Sequence, residues 1–259
     1  MIATEAISSA PPGEVARVRM LSVRGERLLL ADWNRAAFLH FEADPQVLQR
    51  SVPYPLDLYE GRAFVSLVAF TMHRLRCVRL QRLTEWLMRP IGTHPYLNVR
   101  TYVCHRGEPG IFFLAEWMTN PLSLYLGAPL FGLPYRKGEA HYHNEPEAGR
   151  AQGEVIDASG TRFTYHANCG DRDVDFRPAE RGSLDEFLVE RYTCFTKWHR
   201  LLRAFRVWHP PWQLAKATAS VQEAELLEKS GAWFHSARLW GAHLSPGCQD
   251  VWMGRPRLT

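Results

Sequence analysis

Residues 131–143, FGLPYRKGEAHYH, decide how the rest of the chain is read. Upstream, Asn120 and Pro121 open an apolar helix, PLSLYLGAPLFGL, which Pro134 is expected to stop because its ring crowds the preceding turn and it has no N–H. Downstream, 136–143 reads as a strand. The junction delivers Tyr135, Arg136 and Lys137, three side chains able to act on a carbonyl group, to the start of that strand. Successive strand residues face opposite ways, so Tyr135 and Lys137 share a face, about 7 Å apart, and Arg136 takes the other. Periodicity leaves open which face is turned inward.

Further out, LNVRTYVCH and GIFFLAEWM flank RGEPG, whose Gly and Pro predict an antiparallel hairpin. Residues 37–43 and 62–70 read as strands on either side of a short helix capped by Asp44 and begun by Pro45. Strands at 153–158 and 161–167 are joined by DASG. In SLDEFLVERYTCF, Ser183 is an N-cap with Glu186 at the third helical position. The segment 73–90, HRLRCVRLQRLTEWLMRP, interleaves five arginines with Leu, Val and Trp at near-helical spacing. Its basic face is either solvated or a surface for a membrane or a partner protein. With no repeat and no linker, the pattern predicts one α+β domain over 17–259, preceded by a flexible arm at 1–16.

Composition narrows the function. The chain is 46% hydrophobic, 22% charged and 12% aromatic, as soluble globular proteins are. A net charge of +4, spread along 259 residues, does not argue for nucleic acid. Cys77, Cys104, Cys169, Cys194 and Cys248 form no C-x-x-C pair, which disfavours a zinc ribbon, a redox pair and a disulfide scaffold. The N-terminus has no secretory pattern and no stretch approaches the roughly 20 apolar residues of a membrane span, so a cytoplasmic location is expected. There is no phosphate loop, dinucleotide fingerprint or serine-nucleophile elbow, and no cofactor is expected. His141 and His143 share a strand face, but two ligands do not make a metal site, and none is expected.

Four stretches, FLHFEADPQVLQRSVPYPLDLYEGRAFVSLVAF, LNVRTYV, FGLPYR and HPPW, resemble in order and spacing the YqjF-like family, domain of unknown function 2071, over residues 33–214. That family is grouped with acetoacetate decarboxylase-like proteins. The resemblance implies an α+β fold with a closed, cone-shaped, mostly antiparallel β-sheet around a central cavity and a few flanking helices, and it allows a homo-oligomer. Those decarboxylases carry Gly-x-Pro-Lys-Lys, whose first lysine forms a Schiff base; this is the lysine activation that the general account of covalent catalysis uses as its example. Here Gly132-Leu133-Pro134 matches, but Tyr135 stands at the Schiff-base position and Arg136 at that of the second cation. Asn98 stands where those enzymes carry a glutamate in P-Y-x-E, and an amide cannot take up a proton as a carboxylate does.

The remaining constellation is Asn98, Arg100 and Tyr102 at i, i+2 and i+4, on one strand face. Arg100 is either a clamp for a carboxylate or the ion-pair partner of Glu116 on the hairpin's other strand. Tyr135 either meets a ligand oxygen or fills the cavity, and Arg136 either faces the cavity or is solvated. Lys137 is the candidate catalytic amine. Trp33, Asn34 and Arg35 either line a cavity mouth or pack and cap, and HPPW reads as a rigid packed turn. The expected function is binding of a small anionic or carbonyl-bearing organic molecule through Asn98, Arg100, Tyr102, Tyr135, Arg136 and Glu116. One alternative is a lyase on a keto acid with a Schiff base at Lys137. The other is an interaction protein with a packed cavity that works through 73–90.

Overall fold

The computed structural model describes residues 10–170 and 174–259. In chain order its elements are α1 (Pro12–Ser22), β1 (Arg27–Ala43), α2 (Pro45–Gln49), β2 (Ala63–Cys77), α3 (Gln81–Leu87), β3 (His94–His105), β4 (Glu108–Met118), α4 (Pro121–Phe131) and β5 (Tyr135–Glu145). There follow β6 (Arg150–Asp157), β7 (Arg162–Asn168), α5 (Leu184–Val189), β8 (Thr193–Trp198), β9 (Leu201–Trp208), β10 (Ala215–Glu223), α6 (Glu225–Glu228), β11 (Arg238–Gly254) and β12 (Arg257–Leu258).

Local chemistry accounts for the helix starts. The Asp44 carboxylate accepts the amides of Gln46 at 2.7 Å and Val47 at 3.2 Å, and the Asn120 side chain accepts those of Leu122 at 3.0 Å and Ser123 at 3.2 Å. Ser183 accepts from Glu186 N at 3.2 Å, while the Glu186 carboxylate takes the Gly182 amide at 2.8 Å. Asp157 closes the DASG turn by accepting from Ser159 N and Thr161 N. β3 and β4 form the expected hairpin, paired from Tyr96 opposite Met118 to His105 opposite Glu108 with one register shift between Val99 and Arg100.

Four boundaries differ from the sequence reading. α4 ends at Phe131 because Gly132 turns left-handed, φ 73°, so the glycine and not Pro134 stops it. In the segment 73–90 only α3 is α-helical; residues through Cys77 continue β2, where Arg74 pairs with Asp32 and Glu85, and buried Arg76 pairs with Asp32 and Asp250. Part of the basic face is therefore structural. α5 stops at Val189, and Thr193 begins β8. Of the expected arm, residues 1–9 lie outside the described residues, while Pro12 onward is helix; the Trp208 indole donates to Gly13 O at 3.0 Å and ties that helix to β9.

The strands run in the order β12-β9-β8-β4-β3-β2-β1-β11-β10-β7-β6-β5, and the β4–β5 pairing closes nine of them into a mixed barrel. The β9–β11 pairing closes a second circuit of seven strands, β4-β3-β2-β1-β11-β9-β8, so the two circuits share a wall. Period-two alternation sorts side chains between them. Leu39, Leu67, Val99, Trp117, Phe163 and Trp233 pack together in the nine-strand barrel, whereas Phe38, Val68, Tyr96, Phe113 and Trp212 belong to the cluster of the seven-strand circuit. The resulting fold is the expected closed sheet of acetoacetate decarboxylase-like proteins, mostly antiparallel, with two parallel pairings, β4–β5 and β4–β8.

Candidate functional site

The seven-strand circuit is not filled. A cavity of about 90 Å³ remains, and every strand of the circuit contributes to its wall. Most of the wall is apolar or aromatic, including Trp33, Phe70, Phe113, Phe205 and Trp212; its polar groups include Asn98, Arg100, Glu116, Tyr135, Arg191 and His209. A bulge explains how Glu116 reaches it. Val99 pairs with Ala115 but Arg100 pairs with Phe113, so Leu114 is the extra residue. Leu114 and Ala115 both face the packed barrel, which returns Glu116 to the same side as Phe113.

The polar groups are under-satisfied. Asn98 Nδ2 donates to Glu116 Oε1 at 3.2 Å, but Asn98 Oδ1, Glu116 Oε2 and Arg100 Nε have no hydrogen-bond partner among the described residues. Buried polar atoms rarely go unpaired, and here three such atoms belong to residues that line one cavity. Burial pushes the Glu116 carboxyl up to about 8, against weaker opposition from the Asn98 hydrogen bond and the Arg100 charge. At neutral pH it is mainly a neutral acid, with a proton to offer. Burial, and then the neighbouring Tyr96 and Glu116, hold the Tyr135 phenol well above its ordinary value, so it too remains a hydrogen-bond donor.

The two arginines differ. Arg191 is neutralised by Asp57 at 2.7 Å, donates through Nε to Phe187 O at 2.8 Å and covers the Phe187 ring at 4.1 Å. Arg100 interacts with the Tyr102 hydroxyl and makes a long contact, 3.5 Å, from Nη2 to Leu188 O, and its guanidinium carbon lies 5.9 Å from the Phe38 ring. It has no ion-pair partner among the described residues, and the ion pair with Glu116 weighed from the sequence does not form. A buried cation left without an anion is costly.

Asn98, Arg100, Glu116 and Tyr135 are thus brought together. Tyr102 shares their face but lies behind the wall, donating to Leu188 O at 2.7 Å. Arg136 turns to the other side, where its Nη1 donates to Lys229 O at 2.8 Å and its guanidinium lies 5.3 Å from the Trp117 ring. Lys137 is exposed and does not line the cavity. β5 pairs with β4 over only three residues, 135–137, before it crosses to β6, so the shared strand face of Tyr135 and Lys137 leaves the cavity between them. His141 and His143 are exposed, and among the described residues no group of three His, Cys, Asp or Glu could hold a metal ion. The sequence reading missed Arg191 and Cys194, and took His209 and Trp212 for turn residues; all four line the cavity. Trp33 also lines it, the cavity-side option of its sequence reading.

The closed mixed barrel is the fold of acetoacetate decarboxylase-like proteins. An acetoacetate decarboxylase-like enzyme from Sphingomonas wittichii RW1 superposes with a TM-score of 0.61 at 16% identity, covering 90% of this chain and 93% of that one. The enduracididine biosynthesis enzyme MppR, solved in complex with pyruvate, gives 0.62 at 14% identity, covering 91% of both chains. Acetoacetate decarboxylase from Legionella pneumophila gives 0.61 at 12%, covering 92% and 90%. The model of domain of unknown function 2071, described as an uncharacterized conserved protein, matches residues 30–249, and the chain belongs to that family. It is 29% identical over 206 residues to the uncharacterized protein YqjF of Bacillus subtilis (strain 168), covering 77% of this chain and 80% of that protein. No helix among the described residues is long and apolar enough to cross a membrane.

Proposed function

We propose that the protein binds a small organic acid, with a carboxylate and a neighbouring carbonyl or hydroxyl oxygen, in the seven-strand cavity. The observation that supports this reading is Arg100, a buried guanidinium with no counter-anion among the described residues, lining the cavity beside the unpaired Asn98 and Glu116 oxygens. The carboxylate would take Arg100, and the second oxygen would accept from protonated Glu116 or from Tyr135. A cavity of about 90 Å³ limits the ligand to a small molecule. Among the described residues no lysine lines it, so the reading rests on non-covalent binding.

Pyruvate is the natural first probe, since the structurally similar MppR was solved with it. Calorimetric titration is expected to show binding that Arg100→Ala weakens roughly tenfold or more, the loss of one charge-assisted contact. Equal affinity in a folded Arg100→Ala protein would remove Arg100 from the site.

A further inference from the structure

Behind the Arg100 side of the cavity runs an unbroken line of polar side chains drawn from five elements. Asp185 Oδ1 lies 3.3 Å from His243 Nε2, and His243 Nδ1 lies 3.0 Å from His40 Nε2. His40 Nδ1 lies 2.7 Å from Ser66 Oγ, Ser66 Oγ lies 2.5 Å from the Tyr102 hydroxyl, and that hydroxyl donates to Leu188 O at 2.7 Å. Both ends belong to α5, Asp185 in its first turn and Leu188 near its end. His40, Ser66, Tyr102 and His243 are buried. The Leu188 carbonyl is also the one that Arg100 approaches at 3.5 Å.

The direction of each bond follows from that carbonyl, which can only accept. Tyr102 spends its single proton on Leu188, so Ser66 must donate to Tyr102. Ser66 then has no proton left for His40, so His40 Nδ1 donates to Ser66. If His40 is neutral, its Nε2 accepts, and His243 Nδ1 is the donor. His243 Nε2 faces the Asp185 carboxylate and donates there as well. The two rings together hold one proton more than two neutral imidazoles.

We propose that this proton resides on His243, a buried imidazolium paired with Asp185, and that His243 is thereby a positioning residue for Arg100. The charges facing the pair agree. Burial, then His243 and then Arg100, keep His40 well below its ordinary value and hence neutral. His243, and next Lys216 at 2.9 Å, hold the Asp185 carboxyl well below the usual range, so it stays an anion.

Loss of one proton from the line to water leaves His243 Nε2 donating to Asp185 and reverses the bonds from His243 Nδ1 through Ser66 to Tyr102. His40 then carries its hydrogen on Nε2 and donates to His243, Ser66 donates to His40, and Tyr102 turns from Leu188 to Ser66. The Leu188 carbonyl, vacated by Tyr102, is left to Arg100, whose N–H groups are drawn away from a ligand. Removal of the imidazolium charge acts in the same direction. The protonated line therefore favours an anion in the cavity. This consequence for binding rests on the function proposed above; the proton placement does not.

Nitrogen-15 spectra of the full chain labelled in histidine test the placement directly. At pH 7 one ring should be protonated on both nitrogens and vanish from the spectrum in His243→Gln, and one should be a neutral Nδ1–H tautomer and vanish in His40→Gln. Raising the pH until the line loses one proton should switch His40 to its Nε2–H tautomer. Pyruvate affinity, measured in the Glu116→Gln background to remove that carboxyl's titration, should fall roughly tenfold across the same step. Asp185→Asn, which removes the counter-anion without a change of volume, should leave His243 neutral at pH 7. A neutral His243 in the unaltered protein at pH 7, or a His40 tautomer that does not move, would overturn the proposal. If pyruvate fails to bind the unaltered protein at any pH, the proposed ligand class is wrong, and the spectra alone decide the proton placement.

Discussion

The carboxyl of Glu116 should cost the protein stability as the pH rises, and the amount follows from its burial. Its folded value stands at about 8 against an ordinary 4.5, so the folded state keeps its proton where the unfolded chain has already ionised. The stability contribution is fully present below 4.5, declines through neutral pH and is gone above 8. At about 1.4 kcal/mol per pH unit, the loss is on the order of 3 kcal/mol at pH 7 and 5 kcal/mol at pH 9. Glu116→Gln retains the shape of the neutral acid and cannot ionise. Urea unfolding at pH 5, 7 and 9 should therefore show the variant close to the unaltered protein at pH 5 and increasingly more stable above it. A stability difference that is the same at pH 5 and pH 9 would refute the reasoning, because it would mean that Glu116 ionises alike in the folded and unfolded chain.

Lys137→Met should leave pyruvate affinity unchanged, and borohydride reduction in the presence of pyruvate should add no mass to either protein; an adduct on Lys137 would contradict its placement in solvent. Gly110→Ala should destabilise by about 1–3 kcal/mol, read from the urea midpoint, as overpacking in a tight core does. A Cβ there would lie 2.4 Å from the Thr193 carbonyl oxygen and 2.7 Å from the Phe195 ring, at the parallel β4–β8 contact. An unchanged midpoint would show that β8 yields without cost. Asp44→Ala should cost about 1 kcal/mol for the loss of the α2 cap; no change would mean that water replaces it.

Features set by neighbours in the chain were legible in the sequence. The caps at Asp44, Asn120 and Ser183, the DASG turn and the β3–β4 hairpin each depend on a few consecutive residues whose hydrogen-bonding options are limited. The common face of Asn98, Arg100 and Tyr102 was legible as well, because strand periodicity needs no knowledge of the partner strand. The resemblance of FGLPYR and its companion stretches supplied the closed sheet, which periodicity alone did not contain.

Tertiary structure decided everything that depends on where one strand meets another. Residues 73–77 have near-helical spacing, yet they complete β2 because β1 offers a hydrogen-bonding edge and Asp32 a partner for their arginines. Lys137 shares a strand face with Tyr135 yet leaves the cavity, because β5 follows β4 for only three residues. The extra residue at Leu114 turns Glu116 inward, and nothing in the local sequence announces a bulge. His40 and His243 are 203 residues apart and meet only because β1 and β11 pair. Short-range hydrogen bonding and side-chain alternation are written in consecutive residues. The pKa of a carboxyl, the proton on a histidine and the counter-charge of an arginine depend on burial among distant neighbours, and only the closed sheet brings those neighbours together.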